Sequence, residues 1–200
     1  MEVFGHTWST RVGRGGAGNN HWSDGAETVS IDVDGRLVLG VRKQAGIWRC
    51  AEVFTALPDG PVQIDIRVGS ALSALPAGVI VGLFAYRNDR RELDFEYGAW
   101  GDADPRTGQF VVQPHTAHGN RKRFVVPNEP ISTHTLRWRN GWASFASSFG
   151  NTHRRWTRTG SAVPARDGYR LHLNVWLRDP DSFRGSLPSL VIEDVQITRL

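Results

Sequence analysis

The chain of 200 residues and 22.2 kDa is 40% hydrophobic and 22% charged. That is too apolar for intrinsic disorder, and no stretch approaches the roughly 20 consecutive apolar residues of a membrane-spanning helix. Twenty-two glycines and ten prolines, scattered without a period, exclude a collagen-like chain and argue against long helices. The net charge of +4 rests almost wholly on arginine, since Lys43 and Lys122 are the only lysines; the cations are spread along the chain rather than grouped with stacking aromatics, so no nucleic-acid partner is expected.

In chain order, Gly13-Arg14-Gly15-Gly16-Ala17-Gly18 matches a dinucleotide fingerprint in letters only. No buried strand precedes it and the helix-breaking Asn19-Asn20-His21-Trp22-Ser23-Asp24-Gly25 follows, so a surface loop is expected. Alternating or apolar runs then predict strands at 28–33, 36–43, 47–55, 62–68, 78–86, 91–97, 109–113, 133–138, 143–149, 170–177 and 190–197. Asp34-Gly35 and Asn140-Gly141 read as tight hairpins. Arg121-Lys122-Arg123 reads as a solvated loop. No stretch has sustained 3.6-residue periodicity with start and stop signals, which disfavours a parallel α/β fold. About a dozen short strands in one unit spanning 1–200 predict an all-β, two-sheet antiparallel sandwich or jelly roll. Cys50, the only cysteine, lies in an apolar run and is read as packing; it permits no intrachain disulfide. His115 and His118 lack the spacing and the third ligand of a transition-metal site.

One strand stands apart. In Arg91-Glu92-Leu93-Asp94-Phe95-Glu96-Tyr97 the period of two sends Glu92, Asp94 and Glu96 to one face and Leu93, Phe95 and Tyr97 to the other. A solvated outer face would look the same by alternation alone. Three like charges in line, however, repel one another and raise some of their pKa values, a cost that exposed strands usually avoid. Such a row suits glycosidic cleavage, in which one carboxylate attacks the anomeric carbon and a protonated partner supplies the leaving oxygen with a proton. Positions 92 and 96 stand about 13 Å apart along an extended strand, and two glutamates leaning together by ~4 Å each approach the ~5–5.5 Å separation of retaining enzymes.

The motif Glu92-Leu93-Asp94-Phe95-Glu96 resembles the E-x-D-x-E signature of glycoside hydrolase family 16, the concanavalin A-like jelly-roll endo-β-glucanases. Further stretches are similar in the same order: Val62–Val68, with an acid and an arginine two apart; His134-Thr135-Leu136-Arg137-Trp138 and the hairpin after it; Leu173-Asn174-Val175-Trp176; and Asp194-Val195-Gln196-Ile197. The likeness covers about three quarters of the chain. It implies Glu92 as nucleophile, Asp94 as assisting carboxylate and Glu96 as general acid/base, with retention and no cofactor. The absence of an extra residue before Glu96 is similar to the lichenase and transglycosylase branches. The family's Trp-rich segment ahead of the acidic strand is replaced here by the apolar Ala77–Tyr86.

Parity nominates further residues toward the substrate: Asp65 and Arg67; Val111, Gln113 and His115; His172, Asn174 and Trp176. Trp100 and Trp22 are candidates for stacking on sugar faces. Asp194 and the Gly35 carbonyl resemble the family's structural calcium ligands, which makes calcium the one cofactor in question. The expected protein is a monomeric retaining endo-β-glycosidase on a polysaccharide such as a β-1,3/1,4-glucan, with no membrane partner. The alternative is a non-catalytic carbohydrate-binding module of the same shape, and arginine keeps anionic glycans open as ligands. The N-terminus shows no signal peptide, although a polymer substrate implies a secreted protein.

Overall fold

The computed structural model describes residues 1–100, 104–185 and 189–200, and folds them into two large stacked sheets and a small one that pairs Glu2–Val3 with His6–Thr7. The seven-stranded sheet runs in the order Thr152–Thr159, Trp142–Phe149, Ser132–Arg139, Val62–Val68, Leu190–Arg199, Leu37–Leu39, Val29–Ile31. The ten-stranded sheet runs Arg121–Phe124, Gly108–Val112, Arg91–Gly98, Val79–Asn88, Arg170–Leu177, Ile47–Ala56, His21–Trp22, Gly13–Arg14, with Ser9–Thr10 and Arg42–Gln44 also paired to Ile47–Ala56. All pairings are antiparallel except that of His21–Trp22 with Arg49–Cys50. The expected jelly-roll sandwich is what the chain forms. Its only helical elements among the described residues are two three-residue 3₁₀ turns, and no helix is long and apolar enough to cross a membrane.

Alternation builds the core. Val62, Ile64, Ile66 and Val68 of one sheet bury against Leu93, Phe95, Tyr97, Leu171, Leu173 and Val175 of the other, while intervening side chains point away. The Asn140-Gly141 turn is a two-residue hairpin, since Arg139 pairs with Trp142, and Gly141 takes the positive φ of 68° that it needs. Asp34-Gly35 instead sits in a longer turn, in which the Asp32 carboxylate accepts from the Asp34 and Arg36 amides. One polar cluster links the sheets through the core. The Tyr97 hydroxyl lies 2.8 Å from His134 Nδ1 and 2.9 Å from Ser147 Oγ, and Ser132 Oγ lies 2.9 Å from His134 Nε2. Burial holds His134 down at a pKa of about 3, so it is neutral.

Several elements differ from expectation. The run 36–43 is split, because the chain crosses at Gly40 from the seven-stranded sheet to the ten-stranded one. Arg121–Phe124 is a strand rather than a loop, and Thr152–Thr159, given no strand by pattern, is the far edge of the other sheet. Both are edge strands rich in arginine. Charge on an edge discourages pairing with other chains, but it erases the hydrophobic alternation by which strands are recognised. Lys122 Nζ donates to the Arg155 carbonyl at 2.8 Å, tying the two edges together.

Candidate active site

The acidic strand pairs without irregularity along the acids: Glu92 faces Tyr86, Asp94 faces Phe84 and Glu96 faces Gly82. All three carboxylates lie on the outer face of the ten-stranded sheet, opposite the buried Leu93, Phe95 and Tyr97. Asp94, at 2% exposure, forms the floor between two half-buried glutamates. Gln113 Nε2 donates to Asp94 Oδ2 at 3.1 Å, and Gln109 Nε2 donates to Glu96 Oε2 at 2.6 Å.

Desolvation makes all three hard to ionise together. Burial pushes Glu92 up to about 7; the charges of Glu96, Asp89 and Glu52 add to this, while a hydrogen bond with Asp94 draws it down. Asp94 is raised well above its ordinary value by burial, and next by the charges of Glu92 and Glu96. Glu96 is raised by burial against the lowering effects of the Gln109 bond and the Arg121 charge. The proximity of Glu92 and Asp94 lowers the first and raises the second, and Asp94 Oδ1 is buried without a hydrogen-bond partner among the described residues.

A second polar group occupies the same face. Glu52, 4% exposed, accepts from His172 Nδ1 at 3.1 Å and Asn174 Nδ2 at 3.1 Å, and pairs with Arg11 at 3.3 Å. Burial works to raise the Glu52 pKa, but the bonds from His172 and Asn174, with the charges of His172 and Arg11, outweigh it and hold this carboxyl below its ordinary value. His172 is stacked between Phe54 and Phe84, with ring centroids 5.1 Å away on each side. Register sets Asn174 opposite Gly82, which in turn faces Glu96. A Cβ at Gly82 would lie 2.6 Å from Asn174 Oδ1, so glycine is what lets these groups approach. Asn174 Oδ1 and His172 Nε2 are buried without a protein partner among the described residues. Sequence reasoning missed Glu52, Arg11, Phe54, Phe84, Gly82 and Gln109. The available signal was a lone acid at 52 in an otherwise apolar run, in phase with Trp48, Cys50 and Phe54.

The other nominated residues divide. Gln113, Asn174 and His172 lie on the outer face with the acids, as does the half-buried Trp176, one register step beyond Asn174. Val111 pairs with Asp94 but is fully buried. His115 is exposed in the loop after the strand, where its amide donates to Gln113 Oε1 at 2.9 Å. Trp100 is half-buried beneath the Arg123 guanidinium, 5.1 Å from its ring centroid.

Two expectations need correction. Asp65 and Arg67 are on the seven-stranded sheet, away from the acids, where Asp65 accepts from Gln63 and Thr135, and Arg67 bonds Glu193 at 2.6 Å. Alternation orders faces within a strand but does not say which sheet the strand joins. Trp22 is 1% exposed, because the expected loop forms a strand at His21–Trp22 that buries the indole, whose Nε1 donates to the Gly15 carbonyl at 2.6 Å. Asp194, on the same sheet as Arg67, accepts from Gln196 at 2.8 Å and faces Arg67 across the ladder.

No protein-family model matches the sequence, and no curated protein matches it. Solved structures do match in shape. A glycosyl hydrolase family protein from Mycobacterium fortuitum superposes with a TM-score of 0.73 at 14% identity, covering 96% of this chain and 91% of the other. The β-glucanase of Bacillus licheniformis gives 0.71 at 17% identity, covering 96% and 92%. A glycosyl hydrolase family 16 protein from Mycobacterium smegmatis gives 0.72 at 14% identity, covering 96% and 91%. Superposing over 96% of its length on these structures, this chain has the glycoside hydrolase family 16 fold.

Proposed function

We propose that the protein is a retaining endo-β-glycosidase acting on a polysaccharide, with β-glucan as the first candidate backbone. The observation that carries this reading is the row of three carboxylates on one face of a regular strand, the middle one buried. Asp94, raised well above its ordinary value, holds its proton; Glu92 acts as the anion above its pKa of about 7; and burial favours a protonated Glu96. Glu92 attacks the anomeric carbon as Glu96 protonates the departing glycosidic oxygen, giving a covalent glycosyl-enzyme. Glu96, now a carboxylate, takes a proton from water. The hydroxide then displaces Glu92 and restores the first configuration. The regular register keeps Glu92 and Glu96 in phase on one face, where both can act on one bond.

The neighbouring group gives the face a way to hold sugar. Asn174 Oδ1 is an acceptor, His172 Nε2 a second polar atom, and both are buried without a partner among the described residues, in line with Glu96 and Asp94 respectively across the intervening strand. Buried polar atoms of this kind are satisfied by a ligand's hydroxyls. Trp176 extends the same face with an apolar surface suited to sugar C–H groups. The reading also favours a secreted protein, since such polymers lie outside cells. The test is oligosaccharide release from mixed-linkage β-glucan, laminarin, xyloglucan, agarose and carrageenan, with Glu92→Gln run alongside. Product from the wild type alone is expected. Equal release by both proteins overturns the assignment, and polymer retention without release in the folded wild type replaces it with a binding module.

A further inference from the structure

The outer face that carries the acids is cationic at both ends. On one side, two strands past the acidic strand, the exposed Arg121 is aligned with Val111 and Asp94, and its charge reaches Glu96. On the other side, Ile47–Ala56 lies three strands away; at its near end, past Trp48, is a cavity of about 530 Å³. Arg14, Lys43, Arg178 and Arg184 line this cavity against Asp179 and Asp181. Asp179 is already engaged, its carboxylate accepting from the Ser182 hydroxyl at 2.7 Å and from the amides of Asp181 and Ser182. Among the described residues Arg14, Lys43 and Arg178 form no ion pair with a carboxylate, although the Arg178 charge is felt at Asp179, and Lys43 rests over the Trp48 ring at 5.5 Å. Arg11, between this cavity and the acids, is paired with Glu52.

Strand spacings of ~4.8 Å and a rise of ~3.3 Å per residue place the cavity on the order of 20 Å from Glu96, and Arg121 about 10 Å away in the opposite direction. A polymer lying across the strands over Glu92 and Glu96 therefore passes from one cationic station to the other. Unpaired guanidinium and ammonium groups at fixed stations match sulfate or carboxylate substituents, and arginine binds both in a bidentate manner. The charges also sit away from the floor, where a substituent would meet the acids themselves.

We infer that the polysaccharide is anionic, with acidic substituents held by Arg121 on one side of the acids and by Arg14, Lys43 and Arg178 on the other. The inference rests on the glycosidase reading for the position of the chain, but it is tested by binding. Laminarin, laminarin sulfate and carboxymethyl laminarin share one backbone, so affinity electrophoresis of the full chain in each isolates the charge and separates the two anion sources. The expected result is at least tenfold tighter retention by one or both anionic derivatives, weakening as salt is raised. The Lys43→Gln/Arg178→Gln double variant reduces that preference about tenfold, and Arg121→Gln also reduces it. Arg137→Gln/Arg199→Gln, which removes equal charge from the seven-stranded sheet, leaves it intact. Equal retention of all three polymers overturns the inference, as does a preference that both double variants lower alike. Hydrolysis of neutral laminarin without any anionic preference defeats this inference and spares the glycosidase; anionic retention without product release does the reverse.

Discussion

Replacing Glu92 by Gln is expected to stabilise the folded protein at alkaline pH while abolishing turnover. In the fold the Glu92 pKa stands at about 7, against 4.5 for an ordinary glutamate. A rise of that size corresponds to roughly 3 kcal/mol at ~1.4 kcal/mol per unit. The sign follows from linkage. Below about pH 4.5 the group is protonated in both folded and unfolded chains and makes no difference between them. Between 4.5 and 7 the unfolded chain ionises first, so stability falls as pH rises; above 7 the full penalty is present. Glutamine keeps the shape and cannot ionise, so the variant and the wild type diverge across that window. For a protein of this size ~1 kcal/mol moves the melting temperature by about 2–4 °C, so the variant is expected to melt roughly 6–12 °C higher than the wild type at pH 8, with a much smaller gap at pH 4.5. Thermal melts of both proteins at the two pH values measure this directly. A difference independent of pH, or a variant less stable at pH 8, would show that Glu92 ionises comfortably in the fold and that the acid row is not poised as argued.

Three other substitutions test the rest of the site. Gly82→Ala puts a methyl 2.6 Å from Asn174 Oδ1 and is expected to cost about 1–3 kcal/mol in chemical denaturation and to lower turnover by about tenfold. Glu52→Ala leaves His172 and Asn174 without their acceptor and Arg11 without its partner; a loss of about 3 kcal/mol is expected, and a denaturant midpoint unchanged from wild type would count against this role. Tyr97→Phe deletes the hydroxyl between His134 and Ser147 and is expected to destabilise by about 1–3 kcal/mol, read from the same denaturation curves.

What the sequence made legible follows from where its information is local. The acidic strand was readable because alternation alone separates Glu92, Asp94 and Glu96 from Leu93, Phe95 and Tyr97, and the pairing leaves that phase undisturbed. Hidden in the sequence was everything that depends on strand order. Asp65 and Arg67 share their alternation with the residues on the acidic face, but the strand carrying them joins Ser132–Arg139 and Leu190–Arg199 instead. Glu52 was obscured for the converse reason. Strand Ile47–Ala56 is buried on both faces near this acid, so its pattern reads as continuous core, and only the neighbouring Asn174 and His172 reveal that its carboxylate belongs to a polar group. Trp22 was misjudged because a two-residue strand gives no periodicity to detect.

The polar link among Tyr97, His134, Ser147 and Ser132 bears on the chemistry although it lies on the far side of the strand from it. Strand register has a failure mode of its own: sliding by a single residue exchanges the two faces, which here would drive three carboxylates into the core and expose two aromatic rings. Apolar packing tolerates small shifts, because one greasy contact resembles the next. A hydroxyl bonded to a particular imidazole nitrogen does not. The seven-stranded sheet therefore acts as the gauge against which the acidic strand is set, and substitutions at His134 or Ser147, remote from any substrate, will be felt as misalignment of Glu92 and Glu96.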